Sequence, residues 1–310
     1  MSSLIFLSDL HLSLDQPIAR RDDAPAMQLA KLAYVFAFAK RHPATRAILQ
    51  AGDFFHAPRS WRTLSCYADL IYQSGTPPIY CVAGQHDDYM YNENAKSATS
   101  LGILEAAGFV TILNDTPVVL DSIKKTHIYG CSFSSQQVPA VRDKAALNIL
   151  VIHATISDST PWVGADNFTL APHFLREHKN FDIILCGDIH KKFYAKSGKR
   201  FLCNTGPILR REASEDMFAH HPGFFHYEIE KDELTWYEIP HKPADEVLTR
   251  EHIETPQEVQ QLLGEFIASM QQGQHIIPSM QFKQNLVNYI RQNEVPDPVR
   301  KILTDIMGAE

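Results

Sequence analysis

The sequence predicts an α/β protein in which two sheets face each other and helices flank them. Three observations point there. Apolar runs of strand length alternate with stretches of helical period through roughly the first 210 residues. Five of those runs stop abruptly and release an Asp, a His or both. Between residues 110 and 133, short runs separated by turn residues read as antiparallel strands. Strand ends that share residue types would line one rim of a sheet, and in open α/β sheets that rim is where ligands bind.

The elements follow in order. Leu4-Ile5-Phe6-Leu7 opens onto Ser8-Asp9-Leu10-His11, then a polar loop at 12–25 carries Arg20, Arg21, Asp22 and Asp23. Residues 26–41 have helical spacing in Met27, Leu32, Val35, Phe36 and Ala39, and Pro43 stops them. Ala47-Ile48-Leu49-Gln50 runs into Gly52-Asp53-Phe54-Phe55-His56. Ser60 starts the next helix, with Leu64, Tyr67, Leu70 and Ile71 on one face, and Gly75-Thr76-Pro77-Pro78 ends it. Ile79-Tyr80-Cys81-Val82 leads to Gly84-Gln85-His86-Asp87, a loop with Tyr89, Tyr91 and Asn92, and a helix at 100–107 closed by Gly108.

The runs 110–113, 118–120 and 127–129 come next. A strand ending at His153, a short helix at 172–178 and the strand Ile183-Ile184-Leu185-Cys186 before Gly187-Asp188-Ile189-His190 follow. Phe201-Leu202-Cys203 turns at Asn204-Thr205-Gly206-Pro207. Runs at 224–229 and 234–239 alternate around Glu230-Lys231-Asp232, which is a hairpin. Beyond His241 the pattern is helical: Thr255-Pro256-Gln257-Glu258 forms a capping box ahead of Val259, Leu262, Leu263, Phe266, Ile267 and Met270. Helices around Phe282–Ile290 and Val299–Ile306 complete the chain. The expected organisation is a catalytic domain at 1–215, a small β-hairpin cap region at 216–250 and a helical region at 251–310.

Bulk properties narrow the function classes. A chain of 310 residues can bury a sizeable core, and its 45% hydrophobic and 21% charged composition is that of a globular protein. A net charge of −7 supplies no global basic field for nucleic acid, although a local patch is compatible with it. The five cysteines form no CxxC pair and mostly sit in apolar runs, so they read as buried thiols of a reducing compartment. No basic leader precedes the first strand and no run approaches the roughly 20 apolar residues of a membrane span. The expectation is a cytoplasmic protein with no membrane contact.

The chemistry lies at the five junctions. Asp9, His11, Asp53, His153, Asp188 and His190, with Gln85 as a carboxamide oxygen, are the donors that two divalent cations about 3.5–4 Å apart require. One Asp-x-His means little, because a lone His at a strand end is usually a hydrogen-bonded structural residue. Five such junctions in one chain form a metal-site pattern.

Asp9-x-His11, Gly52-Asp53-x-x-His56, Gly84-Gln85-His86-Asp87, His153 and Gly187-Asp188-x-His190 resemble, in order, the five blocks of calcineurin-like metallophosphoesterases. The resemblance spans about residues 1–210. It implies a four-layer α/β/β/α metallophosphoesterase sandwich. Gly52-Asp53-Phe54-Phe55-His56 and Asn204-Thr205-Gly206-Pro207 look most like SbcD-type nucleases, including short phage-encoded forms. These are DNA-repair subunits working with an SMC-like, SbcC-type ATPase.

The resemblance implies one metal on Asp9, His11 and His190, another on Gln85, His153 and Asp188, and Asp53 bridging both. His86 would stabilise the transition state or protonate the leaving oxygen, with Asp87 orienting its ring. Two positions depart from the family pattern, which usually has Asn at Gln85 and His at Asp188. An anionic oxygen in place of an imidazole shifts the second site toward Mn²⁺, with Mg²⁺ next, and away from Zn²⁺. A weakened second site is the competing consequence.

His56, Lys191, Lys192 and Arg210 are candidate substrate contacts, with Arg211 beside the last. Solvated loops explain such residues almost as well, and Arg20 and Arg21 better. His42, His173, His178, His220 and His221 lack ligand spacing and are expected at the surface. Three functions compete: a Mn-dependent DNA exonuclease/endonuclease of SbcD type, expected as a homodimer; a small-molecule metallophosphoesterase acting on cyclic nucleotides or phosphomonoesters; and a binding module with an impaired second metal site.

Overall fold

The computed structural model describes residues 2–89, 93–120, 124–135, 137–162 and 165–251. The expected helices beyond residue 252 lie outside the described residues, as do Tyr91 and Asn92.

Two six-stranded mixed sheets carry the fold. In the first, β1 (Ser3–Leu7), β2 (Thr45–Ala51), β3 (Ile79–Val82) and β4 (Thr111–Ile112) are parallel, while β13 (Gly223–Glu228) and β14 (Glu233–Glu238) extend the β1 edge antiparallel. In the second, β6 (Thr126–Cys131), β7 (Leu147–His153), β10 (Ile183–Gly187) and β12 (Arg200–Asn204) are parallel. Antiparallel β5 (Val118–Leu120) and β11 (Phe193–Ser197) close its edges. A two-stranded ladder joins β8 (Ile156–Ser157) to β9 (Thr169–Leu170).

The side-chain period of two sorts each apolar run into two cores. Leu4 and Phe6 of β1, with Ala47 and Leu49 of β2, meet Ile149 and Val151 of β7 and Ile183 and Leu185 of β10 between the sheets. The alternate residues Ile5, Leu7 and Ile48 face α1 (Ala24–Arg41), α2 (Trp61–Ser74) and α3 (Ser100–Ala106). On the far side, Leu150, Ile152 and Ile184 pack on Phe174 and Leu175 of α4 (Ala171–Glu177). The layers therefore run helix, sheet, sheet, helix. Strands buried on both faces have no polar side, hence the near-continuous apolar runs. Each fully buried Leu or Ile contributes about 1.5–3 kcal/mol.

Most helix limits match expectation. Asp23 caps α1 by accepting the Ala26 N–H at 3.0 Å, and Gly75 ends α2 in the left-handed region at φ 57°. Three expectations need correction. The run at 110–113 is parallel to β3, not antiparallel, because it follows a helical crossover rather than a hairpin turn. β11 was not foreseen: only Phe193 of its five residues is fully buried, so its apolar signal is thin. The hairpin at 216–250 is not a separate cap. β13 pairs with β1 over four residue positions, so the hairpin belongs to the first sheet, whose compact unit runs to His252. Short helices α5 (Glu215–Ala219) and α6 (Ala244–Val247) flank that hairpin.

Candidate metal centre

All five ligand-bearing junctions meet at the carboxyl ends of the parallel strands. Pairing of β1 with β2 continues past the strands, where His11 donates its N–H to the Asp53 carbonyl at 2.8 Å and Leu12 to that of Phe54 at 2.9 Å. The sheets are tied across the rim by His153 Nδ1, 2.8 Å from the Ala51 carbonyl, and by the Asp188 N–H, 2.8 Å from Asp9 Oδ1.

Asp9, His11, Asp53 and Asp188 have φ of 47°, 44°, 51° and 99°. Side chains rarely adopt this left-handed region, and four such residues at one rim mark a strained, functional turn set. Close approach also dictates two glycines. A Cβ on Gly84 would fall 2.1 Å from Asp53 Oδ1, and one on Gly52 2.2 Å from His153 Nδ1.

The first ligand group joins Asp9, His11 and His190, with ligand atoms mutually within 4.8 Å; Asp9, Asp53 and His153 form an overlapping group under the same limit. Asp53 lies between, with Oδ2 3.4 Å from His11 Nε2 and Oδ1 3.6 Å from His153 Nε2. Gln85 reaches the second pocket despite its length. Its Oε1 is 2.6 Å from His153 Nε2, and its Nε2 donates to Asp188 Oδ1 at 2.8 Å.

These residues fit divalent cations. Asp9 Oδ2 and Asp53 Oδ2 are buried and have no hydrogen-bond partner, which is costly for a carboxylate unless a cation satisfies it. His11 Nε2 and His190 Nε2 face each other at 2.9 Å. A carbonyl oxygen only accepts, so without a cation both His153 nitrogens donate, Nδ1 to Ala51 and Nε2 to the Gln85 oxygen. A cation would replace the Nε2 proton, with Ala51 holding the other proton on Nδ1.

Electrostatics agree. Burial drives the His11 imidazole well below its usual value, with His190 and His86 adding to the effect, so it stays a neutral ligand. Burial also lowers His153, but Asp53, Asp9 and Asp188 outweigh it and the net shift is upward.

Burial raises Asp9 to about 6, opposed by His190 and His153. The folded value lies above the unfolded 3.8, so metal-free protein gains stability from protonated Asp9 at low pH and loses it as pH rises through about 6. The stake is about 3 kcal/mol. In EDTA, urea denaturation should show wild type losing more stability than Asp9→Asn between pH 4 and 7. Identical pH slopes would refute a buried, unneutralised Asp9.

Around the ligands stand His56 and His86. Their rings stack at 5.3 Å and 17°, and His86 meets the His11 ring edge-on at 4.8 Å. His86 Nδ1 donates to the His56 carbonyl at 2.9 Å, leaving Nε2 for a proton to or from substrate. Burial, then Arg211, lowers the His56 imidazole to about 4.

Asp87 does not orient His86 as expected. Its carboxylate accepts the N–H groups of Phe54, Phe55 and Gly84 at 2.9, 2.8 and 3.0 Å, so it pins the Asp53 turn to the Gln85 turn. Burial and the nearby Asp53 raise its pKa, against those three bonds.

Two basic candidates also point elsewhere. Lys192 lies over the Trp236 ring at 4.5 Å, and Arg210 is buried beside His220 and Lys242, donating to both carbonyls. Arg210 and Arg211 are equal candidates by sequence, and Arg211 is the one whose charge reaches His56. Lys191 does line the rim groove with His190 and pairs with Asp158 at 3.2 Å. His220 is buried rather than at the surface, with Nε2 2.7 Å from the Pro207 carbonyl. Tyr89 is taken up by Arg59, whose guanidinium sits 3.6 Å from its ring centre.

A buried rim of carboxylates and imidazoles between two sheets, with oxygens lacking partners, defines the site of a metal-dependent hydrolase. A model of the calcineurin-like phosphoesterase family matches residues 2–192, more than half of the chain. The chain belongs to that family, whose members are metal-dependent phosphoesterases.

No curated protein matches it. Similar solved structures include a novel archaeal phosphodiesterase, at 13% identity over 76% of this chain and 99% of that one, TM-score 0.40. The NAD nucleotidase of Haemophilus influenzae matches at 12% over 76% of this chain and 55% of that one, TM-score 0.43. A putative 5'-nucleotidase of Staphylococcus aureus matches at 12% over 85% and 57%, TM-score 0.47. Likenesses this remote carry no argument about substrate. No helix among the described residues is long and apolar enough to cross a membrane.

Proposed function

We propose that the chain is a Mn-dependent phosphodiesterase acting on DNA, an exonuclease/endonuclease subunit of SbcD type. The observation that supports this most is the groove beside His190, a cavity of about 340 Å³ lined by Ser157, Ser159, Thr160, Trp162 and Lys191. Trp162 is 58% exposed at its lip. An exposed indole offers a stacking face to a base, and a neighbouring ammonium offers a phosphate contact.

Asp9, His11 and His190 would hold one cation; Gln85, His153 and Asp188 would hold the other, with Asp53 shared. When bound, such cations supply Lewis-acid stabilisation of phosphoryl charge and an acidified water. The chain's own residues do the rest. Asp53 and Asp87 lock the rim turns together, Lys191 orients the phosphate chain, and His86 Nε2 delivers a proton to the departing oxygen. Asp188 as a hard oxygen donor favours Mn²⁺.

A small-molecule phosphoesterase is the second reading. Glu212 and Asp216 line the same groove and would repel a run of phosphates. The homodimer and the SMC-like ATPase partner rest on the sequence resemblance; the apolar helices that would dock that partner fall outside the described residues.

The test is Mn²⁺-dependent cleavage of labelled single- and double-stranded DNA beside bis-p-nitrophenyl phosphate. Trp162→Ala should raise the KM for DNA about tenfold, the worth of one stacked base, while leaving bis-p-nitrophenyl phosphate hydrolysis unchanged. Intact DNA alongside hydrolysed cyclic nucleotides would replace the nuclease with the second reading.

A further inference from the structure

Away from the metal rim lies a second cavity of about 320 Å³, between the outer turns of α1 and the segment after β14. Apart from Arg210, none of the residues assigned above to metal or substrate lines it. Its charges are unbalanced. Arg20 is paired with Asp22, Nη2 to Oδ1 at 2.6 Å and Nε to Oδ1 at 2.8 Å, which leaves that pair neutral. Lys31 and Arg210 are only 7% and 3% exposed, yet among the described residues neither has a carboxylate within 4.0 Å.

Backbone carbonyls alone hold these two cations. Lys31 Nζ donates to Ile208 at 3.0 Å, and Arg210 donates to His220 at 2.8 Å and Lys242 at 2.9 Å. An ammonium has three donors, so Lys31 keeps two for the cavity. Burial, then Arg20 and Arg210, lowers Lys31 to about 7. Asp22 opposes the shift but is held by Arg20, so the cations are crowded without a counterion in contact with Lys31 or Arg210. Buried charge is costly unless paired. Six of the remaining lining residues, Met27, Ala30, Tyr34, Ile239, Pro240 and Val247, form an apolar wall, and His241 and Lys242 complete the rim. Apolar walls with a few convergent polar groups are the ordinary make-up of a small-molecule site.

We propose that this cavity binds a small organic anion, with one carboxylate or phosphomonoester group seated on Lys31 and Arg210 and a compact apolar body against Met27, Tyr34 and Ile239. Charge selects the head and the apolar wall selects the body, so inorganic phosphate alone should bind much more weakly.

Calorimetric titration of the full chain in EDTA tests this, with benzoate, phenyl phosphate and inorganic phosphate as probes. EDTA prevents hydrolysis at the metal rim. At least one organic probe should bind one site per chain below about 1 mM, roughly tenfold tighter than inorganic phosphate, and the tighter of the two identifies the head group. Lys31→Met should weaken it at least tenfold. So should Ala30→Trp, which fills the cavity from an exposed helix position and leaves the cations in place. His86→Ala should bind as wild type does. Absence of binding by both organic probes below about 10 mM would overturn the proposal. So would binding that survives Ala30→Trp, or binding that disappears in His86→Ala.

Discussion

Asp53→Ala is expected to lower turnover of bis-p-nitrophenyl phosphate by at least about a thousandfold, because it removes the one carboxylate that both metal pockets share. Asp53 is fully buried, its Oδ1 accepts the His86 N–H at 2.9 Å, and its Oδ2 has no hydrogen-bond partner, with His11 Nε2 3.4 Å away. The fold should survive, since the turn that carries Asp53 is pinned by Asp87, which accepts the Phe54, Phe55 and Gly84 N–H groups. In EDTA the variant should still unfold cooperatively. On adding Mn²⁺ it should show little of the wild-type rise, because binding to the native state is what raises the midpoint. Calorimetry should find fewer than two equivalents. A variant with a full Mn²⁺-induced rise and full stoichiometry would show that Asp53 is not a shared ligand.

His86→Ala should separate proton delivery from metal binding. The His86 ring touches the ligand set only edge-on at His11, and its Nδ1 is committed to the His56 carbonyl. Metal stoichiometry and KM should therefore change little, while kcat falls by about 10²–10⁴, the usual range for a lost general acid. The loss should depend on the leaving group. A nitrophenolate departs without a proton and should suffer least, whereas a sugar alkoxide in DNA needs one and should suffer most. Equal losses on both substrates would assign His86 to electrostatic stabilisation instead. Loss of a metal equivalent would make it a ligand.

The rim was legible because parallel strands buried on both faces have to be apolar, so the first polar residue after each run stands out. Asp9, Asp53, His153 and Asp188 were found that way, and the structure gathers them with His11, His190 and Gln85. Positions reached through the backbone were not legible. Asp87 follows His86 in sequence, but the three N–H groups that claim its carboxylate come from Phe54, Phe55 and Gly84. Arg210 and Arg211 are adjacent and chemically alike. Only the path of the chain sends one toward the α1 cavity and leaves the other close enough for His56 to feel. His220 and Arg20 have polar neighbours in sequence and buried surroundings in space, which local polarity cannot reveal. The hairpin was recognised from alternation and its turn, but alternation says nothing about which edge a hairpin joins.

That edge matters for anyone cutting the gene. β13 covers the flank of β1, where Ile5 faces His226 and Phe6 faces Phe225. A truncation at residue 215, where the motifs run out, would bare the backbone of a strand that is apolar in four of its five residues. An uncovered, flat, hydrophobic edge is a template for joining other chains. Such a fragment would keep every metal ligand and still be prone to precipitate. The shortest piece worth expressing therefore runs through the second hairpin strand to the end of the first compact unit at His252.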